Sequence, residues 1–546
     1  MSVKNGYSDV WQAIADRVPD RSAVVSGDRS LGYAGLVTEA GALAHALADR
    51  GLRAGDGVAI FSHNRPEYLV TVLACLATGL APVPMNYRYR AGELADLLVD
   101  ADARALVFPD SATDVVVRAL AGLDTPLLLI ALADGGTAPP EALRYEDAVS
   151  APRPLPRRAP VGGELRLYTG GTTGRPKAVV WDVAELFDVQ RFAIWATAGI
   201  APPATLPEAV EIAVSNRGMR PVTLPLAPFM HGTALFNSMN TLVLGGTVVV
   251  QASPGLDATD AVRLIRTHGV TRLIIAGDAV ALPLLDAAEQ DSAGLSTITS
   301  IISSGMRLSE AVKRRLHARG DVTISDMLAS TEGGPYAVNT TTSAGDLPGV
   351  LRLLPGAVLL DEGLEEVQQV AGARGMLGFR GPLPKGYWRD EAKTAEAFRL
   401  VRGRRTVIAG DWAEALGDGG IELLGRGSSV VNTGGEKVYP AEVEEALLAH
   451  PAVADAVVLG IPDERFGEAL TAVLVPADPE RGLDPAAVTA FVGERLAGYK
   501  KPRHIVVRPS LDRSPHGKID MVRLTREAAA AIATSASPDH RSQNAG

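Results

Sequence analysis

A ten-residue loop rich in glycine and threonine constrains this chain more than any other feature. Residues 168–177 read Tyr-Thr-Gly-Gly-Thr-Thr-Gly-Arg-Pro-Lys, which brings three glycines, three threonines and two cations together. Glycine lets backbone amides approach a ligand closely, threonine hydroxyls donate to phosphate oxygens, and Lys177 or Arg175 can balance negative charge. The composition therefore predicts a loop that cradles phosphate groups.

The residues on either side indicate that this loop joins two strands. Residues 164–168 alternate in polarity, and residues 178–181 are apolar and β-prone. A Walker or Rossmann loop would instead open a helix. An ordinary hairpin turn needs only one or two special residues, so the density of glycine and threonine favours a ligand-binding loop.

Composition narrows the class of protein. The 546 residues allow about three or four units of ordinary domain size, and 47% hydrophobic content permits large cores. A net charge of −10 does not suggest a nucleic-acid surface, and the single cysteine, Cys75, excludes a disulfide scaffold and a cysteine-based metal site. The N-terminus has no signal pattern and no run of about 18 apolar residues occurs, so we expect no membrane span and a cytoplasmic location.

Strand and helix patterns divide the chain into two regions. Between residues 42 and 85, buried strands alternate with apolar-faced helices, which predicts an α/β layered core. From Gly425 onward, a helix starting at Pro440 and strands at 456–461 and 469–475 predict a compact α+β unit of roughly 120 residues.

These motifs together resemble one superfamily. The stretch Thr-Gly-Gly-Thr-Thr-Gly-x-Pro-Lys is similar to the phosphate loop of the adenylate-forming enzymes, which comprise acyl-CoA synthetases, peptide-synthetase adenylation domains and luciferases, although Ala178 replaces the usual glycine. The resemblance implies a large N-terminal adenylation domain of several subdomains at 1–424, a hinge at 425–429, a small mobile α+β lid at 430–528 and a flexible tail at 529–546. The loop, with Asn-Thr-Gly-Gly-Glu-Lys-Val at 432–438, looks most like actinobacterial fatty-acyl and steroid side-chain CoA ligases.

The resemblance also assigns the nucleotide contacts. The phosphates of ATP would meet the loop residues Thr169, Gly170, Gly171, Thr172, Thr173, Gly174 and Lys177. The adenine and acyl wall would comprise Ser304, Gly305 and Met306. In the stretch 326–332, Asp326 would sit by the adenine amino group, Thr331 would bond the α-phosphate and Glu332 would ligate Mg²⁺. Leu328-Ala329 replaces the usual Tyr-Gly, so Leu328 would offer adenine an apolar face without aromatic stacking.

The remaining assignments concern the ribose, the acid and the second half-reaction. Asp411 would accept from the ribose hydroxyls, and Arg426 would meet ribose or phosphate oxygens. His231 would lie near the incoming carboxylate without binding metal, and Lys518 would bridge that carboxylate and the α-phosphate. The stretch 432–440 is similar to the thiolation loop of acyl-CoA synthetases, so Gly434, Gly435 and Lys437 would flank the pantetheine of CoA. At the hinge, Ser428-Ser429 stands where charged residues are usual.

The resemblance implies an ATP- and Mg²⁺-dependent carboxylate–CoA ligase that forms an acyl-adenylate and then a thioester. No Asp or Glu lies between Pro225 and Gln251, which disfavours an amino-acid substrate because its ammonium group would want a carboxylate. Two alternatives remain open at this point: a biosynthetic ligase with another acceptor, forming an amide or activating nitrite for diazotisation of an aryl amine, and a non-catalytic nucleotide-binding homologue. The expected partners are a carboxylic acid, ATP and CoA, with a homodimer as the default assembly.

Overall fold

A computed structural model describes residues 6–123, 125–156, 163–170, 176–215, 220–290, 295–306, 308–426, 431–512 and 521–536. The chain divides into two compact units, the first made of Met1–Tyr87, Leu94–Thr169 and Lys177–Gly425, the second of Arg88–Glu93, Gly170–Pro176 and Arg426–Gly546. Among the helices described, none combines the length and apolar character that crossing a membrane requires.

The part of the chain as far as Arg426 contains most of the strands and helices. Its strands are β1 Ser22–Ser26, β2 Arg29–Gly32, β3 Gly57–Phe61, β4 Ala81–Met85, β5 Ala103–Pro109, β6 Leu128–Leu132, β7 Leu143–Arg144, β8 Glu164–Gly170, β9 Pro176–Asp182, β10 Val222–Pro225, β11 Thr247–Val249, β12 Arg272–Ile275, β13 Ser300–Ser304, β14 Thr323–Ser330, β15 Gly333–Thr341, β16 Leu351–Leu353, β17 Ala357–Leu360, β18 Arg374–Phe379, β19 Gly386–Tyr387, β20 Phe398–Val401, β21 Arg404–Ala415 and β22 Gly420–Arg426. Its helices are α1 Tyr7–Arg17, α2 Tyr33–Asp49, α3 Pro66–Thr78, α4 Ala91–Asp100, α5 Thr113–Leu120, α6 Tyr145–Ala148, α7 Val183–Ala196, α8 Leu206–Val214, α9 Gly232–Val243, α10 Ala258–His268, α11 Gly277–Glu289, α12 Glu310–His317 and α13 Glu391–Ala397.

Parallel strands with helical crossovers form the layers that the sequence predicts. Strands β4, β3, β5, β6 and β7 make a five-stranded parallel sheet. In the largest sheet, β11, β10, β12, β13 and β14 also run parallel, and β15 then reverses direction. Residues at both ends of α3 favour its helical boundaries. Pro66 is the first residue of the helix, and Gly79, which follows its last residue, has φ 77°, a torsion that suits glycine. The predicted α/β class is confirmed.

Alternation along β12 sorts its side chains between two packing layers. Leu273 and Ile275 lie in a buried cluster with residues of α10, α11 and α12. Because successive side chains of a strand point to opposite faces, Arg272 and Ile274 point to the other side of the sheet. Helix α9 packs on β10, β11 and β12.

The phosphate loop is flanked by paired strands. Strands β8 and β9 are neighbours in a three-stranded sheet completed by β19, which pairs with β9 in antiparallel register through Tyr387 and Val179. The prediction that the loop joins two strands is therefore confirmed.

The second unit is a small α+β structure. Its elements are β23 Val431–Thr433, β24 Glu436–Val438, α14 Pro440–Leu448, β25 Val453–Asp463, β26 Gly467–Pro476, α15 Pro485–Arg495, β27 His504–Val507 and α16 Met521–Ala536. The strands form one sheet in the order β24-β23-β26-β25, with β27 beside β26. Helix α14 begins at Pro440, as its position in the sequence predicts.

Two boundaries differ from the expectation. Residues 529–536, which we expected in a flexible tail, belong to α16, because Leu524 and Ala528 are buried against strand residues and hold the helix in place. Strand β22 extends to Arg426, so the first two residues of the expected hinge are extended strand. Ser428 and Ser429 lie outside the described residues, and the hinge itself stays a prediction.

Candidate active site

The ends of parallel strands gather the residues expected around adenine. In β13 and β14, Ser303 pairs with Asp326 and Ser304 with Met327. Gly305 follows with φ 86°, a left-handed torsion that lets the chain turn away from the sheet. Ligands of open α/β sheets bind beside the carboxyl ends of the strands. Ser304, Gly305, Met306 and Asp326 therefore share one edge suited to a ligand.

Asp326 carries a partner that sequence reasoning missed. Lys313 Nζ lies 2.8 Å from Asp326 Oδ2, and the lysine side chain is 4% exposed. Burial raises the pKa of Asp326 above its usual range, and Asp278 adds to this, while Lys313 opposes it. The only signal in the sequence is a lysine beside Val312 on the apolar face of α12. This ion pair fixes the orientation of the carboxylate at the expected adenine edge.

The Thr331–Glu332 turn joins β14 to β15 and is held from two sides. Trp181 Nε1 donates to Thr331 O at 2.9 Å, and Tyr387 Oη donates to Glu332 Oε1 at 2.9 Å. Trp181 lies on β9 and Tyr387 on β19, so both donors belong to the sheet that carries the phosphate loop. Glu332 is 9% exposed, and Leu328 lies in β14 just ahead of the turn. The structure thus brings the expected metal ligand next to the phosphate-loop strands.

The segment 385–390 is anchored along its length. The Lys385 and Trp388 amides donate to Val180 O at 2.7 Å and Ala178 O at 2.8 Å. The guanidinium of Arg166 lies 3.6 Å from the centre of the Trp388 ring, a close cation–π contact. These contacts place Tyr387 beside Glu332 without relying on the hydroxyl itself.

Lys177 already has an anionic partner on this segment. It forms an ion pair with Asp390, and its hydrogen bond holds the pKa of that carboxyl below the usual range. Asp390 also caps α13 by accepting from the Lys393 amide at 2.9 Å. Thr169 lies in β8, where the loop begins, whereas Gly171, Thr172, Thr173 and Gly174 lie outside the described residues. A phosphate that contacts Lys177 has to compete with Asp390.

Glu332 fits the chemistry of a magnesium ligand. Within the described ranges, no three His, Cys, Asp or Glu side chains come together as a metal site. Mg²⁺ is commonly held by one or two carboxylates together with substrate phosphates. A single buried carboxylate next to the strands that flank the phosphate loop is consistent with that arrangement.

Asn64, to which the sequence assigned no role, holds the segment before His231 in place. Asn64 Nδ2 donates to Pro225 O at 3.3 Å and to Ala227 O at 2.9 Å, and its Oδ1 accepts from the Phe229 amide at 2.7 Å. His231 is the N-cap residue of α9, with extended torsions. Asn64 therefore positions the start of α9 from the end of β3.

The other expected residues fall at separate places. Asp411 lies on β21, and Arg426 is the last residue of the neighbouring strand β22. In the order of strands in the sheet, β21 is four positions away from β14. In the second unit, Gly434 and Gly435 turn the β23–β24 hairpin with φ 60° and 89°, and Lys437 follows on β24. Lys518 lies outside the described residues.

Comparison with known proteins relates both parts of the chain to the same family of enzymes. The AMP-binding enzyme family matches residues 11–388, and the AMP-binding enzyme C-terminal domain matches residues 442–518. A medium/long-chain-fatty-acid–CoA/3-oxocholest-4-en-26-oate–CoA ligase of Mycobacterium tuberculosis is 35% identical over 534 residues, 95% of each chain. The medium-chain acyl-CoA ligase Mig of Mycobacterium avium is 36% identical over 533 residues, 94% of this chain and 96% of that protein.

A solved structure shows the same fold. The amide bond synthetase McbA from Marinactinospora thermotolerans superposes with a TM-score of 0.79 at 24% identity, covering 96% of this chain and 99% of that one. This likeness supports the adenylate-forming fold and no particular acceptor. The expected resemblance to actinobacterial fatty-acyl and steroid side-chain CoA ligases is confirmed by the relatives at 35% identity. The chain belongs to the AMP-binding enzyme family and is an AMP-forming ligase of the acyl-CoA synthetase kind.

Proposed function

We propose that this ligase activates a medium- or long-chain hydrophobic carboxylic acid and transfers the acyl group to CoA. The observation that carries the proposal is the Thr331–Glu332 turn, which Trp181 and Tyr387 tie to the strands of the phosphate loop. The named substrates of the relatives, fatty acids and an oxo-steroid acid, supply the class of acid. The stretch between Pro225 and Gln251 has no acidic side chain, which suits such an acid.

In the first half-reaction, the acid carboxylate attacks the α-phosphorus of ATP, and pyrophosphate leaves as the acyl-adenylate forms. Thr331 hydrogen-bonds the α-phosphate, and Lys177 exchanges Asp390 for the outer phosphates. Glu332 would hold Mg²⁺, which would neutralise charge on those phosphates. Asp326 with Ser304, Gly305 and Met306 receives adenine, Asp411 the ribose, and Arg426 ribose or phosphate oxygens.

The charge that develops during adenylation needs further donors. His231, at the start of α9, orients the carboxylate, and Lys518 bridges it to the α-phosphate. The CoA thiol then attacks the acyl carbonyl, a thioester forms, and AMP leaves. In this step Gly434, Gly435 and Lys437 border the pantetheine. Bound groups react because they are positioned, which accounts for much of the acceleration in such enzymes.

Two measurements test the two half-reactions. Exchange of labelled pyrophosphate into ATP should depend on an added hydrophobic acid and on Mg²⁺, and Glu332→Gln should abolish it. Mass spectrometry should then find the acyl-CoA thioester. Absence of exchange with every acid tried contradicts the proposal, and AMP release without thioester supports an amine or another acceptor instead.

Three broader expectations accompany this proposal. The ligase requires Mg²⁺, acts in the cytoplasm and forms a homodimer, the commonest soluble assembly. Metal-dependent exchange, cell fractionation and light scattering on the purified protein test them in turn.

A further inference from the structure

The ion pair between Lys313 and Asp326 is unequally buried. The side chain of Lys313 is 4% exposed, whereas that of Asp326, which accepts from Lys313 Nζ through Oδ2 at 2.8 Å, is 20% exposed. The cation is therefore enclosed in the protein, while the carboxylate reaches the surface beside the end of β13. Taking an ammonium group out of water is costly, so a lysine in this position calls for an explanation.

Two helices hold Lys313 in place. It lies on α12, where Ser309 Oγ caps the first turn by accepting from the Val312 amide at 3.3 Å. The Ser309 amide in turn donates to Asp278 Oδ1 at 2.8 Å. Asp278 lies in the first turn of α11, which packs on α12. These contacts fix the start of α12, and with it the ammonium group, beside β14.

The neighbours of Asp326 act on its charge in opposite directions. Burial raises its pKa and Asp278 on α11 adds to this, whereas Lys313 on α12 and a hydrogen bond from the Ser303 hydroxyl on β13 lower it. On β15, the residue opposite Asp326 is Asn339, which carries no charge. Lys313 thus supplies the positive charge that favours the ionised carboxylate.

The charge on Asp326 decides which nucleobase it can bind. An ionised carboxylate only accepts hydrogen bonds, whereas a protonated one can also donate. Adenine carries an amino group, a donor, at the position where guanine carries a carbonyl oxygen, an acceptor. Hypoxanthine, the base of inosine, carries the same carbonyl oxygen. An ionised Asp326 therefore accepts from adenine and repels the carbonyl oxygen, and protonation removes this distinction.

We propose that Lys313 is a positioning residue that selects the nucleobase by keeping Asp326 ionised. The carboxylate then accepts from the amino group of adenine and rejects a base that carries a carbonyl oxygen there. This inference rests on the proposed function, in which Asp326 receives adenine, and adds a determinant of specificity on a neighbouring helix. Lys313 acts through Asp326 and does not itself contact the base.

The test compares ATP with inosine triphosphate in acid-dependent pyrophosphate exchange. The native enzyme should favour ATP in kcat/KM by at least about tenfold at neutral pH, the effect of a hydrogen bond to a charged group. In Lys313→Met this ratio should fall at neutral pH and recover as the pH rises, because loss of the cation raises the pKa of Asp326 and higher pH restores its charge. Calorimetric binding of the two nucleotides without acid should show the same changes.

Arg314→Met is the matched control. Arg314 is the next residue on α12, but its side chain is 56% exposed and pairs with Glu310, so its loss should leave the ratio unchanged. A native ratio in Lys313→Met, or a ratio that falls equally at every pH, overturns the inference. So does a native enzyme without preference for ATP. Absence of exchange with any acid contradicts the proposed function instead.

Lys313→Gln decides the matter if Lys313→Met does not fold. Its amide can donate to Asp326 but carries no charge, so the ratio should again fall and recover with pH, and a native ratio at every pH overturns the inference. Adding Asp326→Asn should remove the pH dependence, since an amide does not titrate. Persistence would assign the titration to another group, such as His317 one turn along α12, and would equally overturn the inference.

Discussion

The hydroxyl of Tyr387 offers the most direct test of how the active site is built. Tyr387→Phe removes the donor to Glu332 Oε1 and leaves the ring in place. The surrounding segment should keep its position, because backbone bonds to Val180 and Ala178 and the stacked Trp388 hold it independently. The substitution therefore removes a hydrogen bond to the proposed metal ligand and keeps the aromatic ring.

The expected magnitude follows from the burial of Glu332. Because Glu332 is only 9% exposed as a residue, little water can replace the lost donor. A hydrogen bond to a charged group contributes about 1.5–3 kcal/mol. Removing a partner that orients a metal ligand typically weakens metal affinity by about 10- to 100-fold, which is a similar free energy. We expect the Mg²⁺ concentration for half-maximal pyrophosphate exchange to rise by about that factor.

A matched control separates this effect from a general loss of a tyrosine hydroxyl. Tyr145→Phe removes a donor to another carboxylate, Glu39 Oε2 at 2.8 Å, away from the site. It should leave the Mg²⁺ dependence unchanged. If Tyr387→Phe also shows the native Mg²⁺ dependence, the hydrogen bond does not orient a metal ligand and the role of Glu332 has to be reassigned.

Three further predictions follow from contacts of the site. Lys313→Met leaves Asp326 buried without its cation and should lower the free energy of unfolding, measured in urea, by about 3–5 kcal/mol. The double variant Lys313→Met with Asp326→Asn should recover much of this loss. Equal losses in the single and the double variant would show that the two side chains are not coupled. Asp390→Asn keeps an oxygen that can cap α13 but removes the negative charge paired with Lys177. The KM for ATP in pyrophosphate exchange should therefore fall by up to about fivefold. A rise in this KM would mean that Asp390 helps to bind the nucleotide. Gly434→Ala places a side chain on a residue with a left-handed torsion, and its Cβ would lie 3.3 Å from Phe466 Cδ1. The free energy of unfolding should fall by about 1–2 kcal/mol, and thioester formation should slow more than pyrophosphate exchange. Equal slowing of both half-reactions would show that this turn does not contact CoA.

Local patterns carried much of the fold prediction. The alternating residues around the phosphate loop, the proline at the start of α14 and the apolar strands of the second unit each depend on neighbours along the chain, and the structure confirms them. Helix α16 escaped this reasoning because its small residues resemble a tail in composition, and its stability comes from packing of Leu524 and Ala528.

The contacts that shape the site were not accessible in the same way. Lys177 and Asp390 are 213 residues apart, and Tyr387 and Glu332 are 55 residues apart. Each pair depends on which strands are neighbours and in which register, and hydrophobic periodicity does not specify the order of strands in a sheet. Motif resemblance supplied Glu332 and Lys177 but not their partners.

Trp181 can serve as an intrinsic fluorescence probe of ligand binding at the proposed active site. The indole N–H donates to the carbonyl oxygen of Thr331, one residue before the proposed metal ligand, while its ring is buried on β9. Indole emission responds to the hydrogen bonding and polarity around the ring. Nucleotide and Mg²⁺ arriving at Thr331 and Glu332 will therefore change the fluorescence of a variant in which Trp181 is the sole tryptophan, and stopped-flow mixing can follow binding before any acid is added.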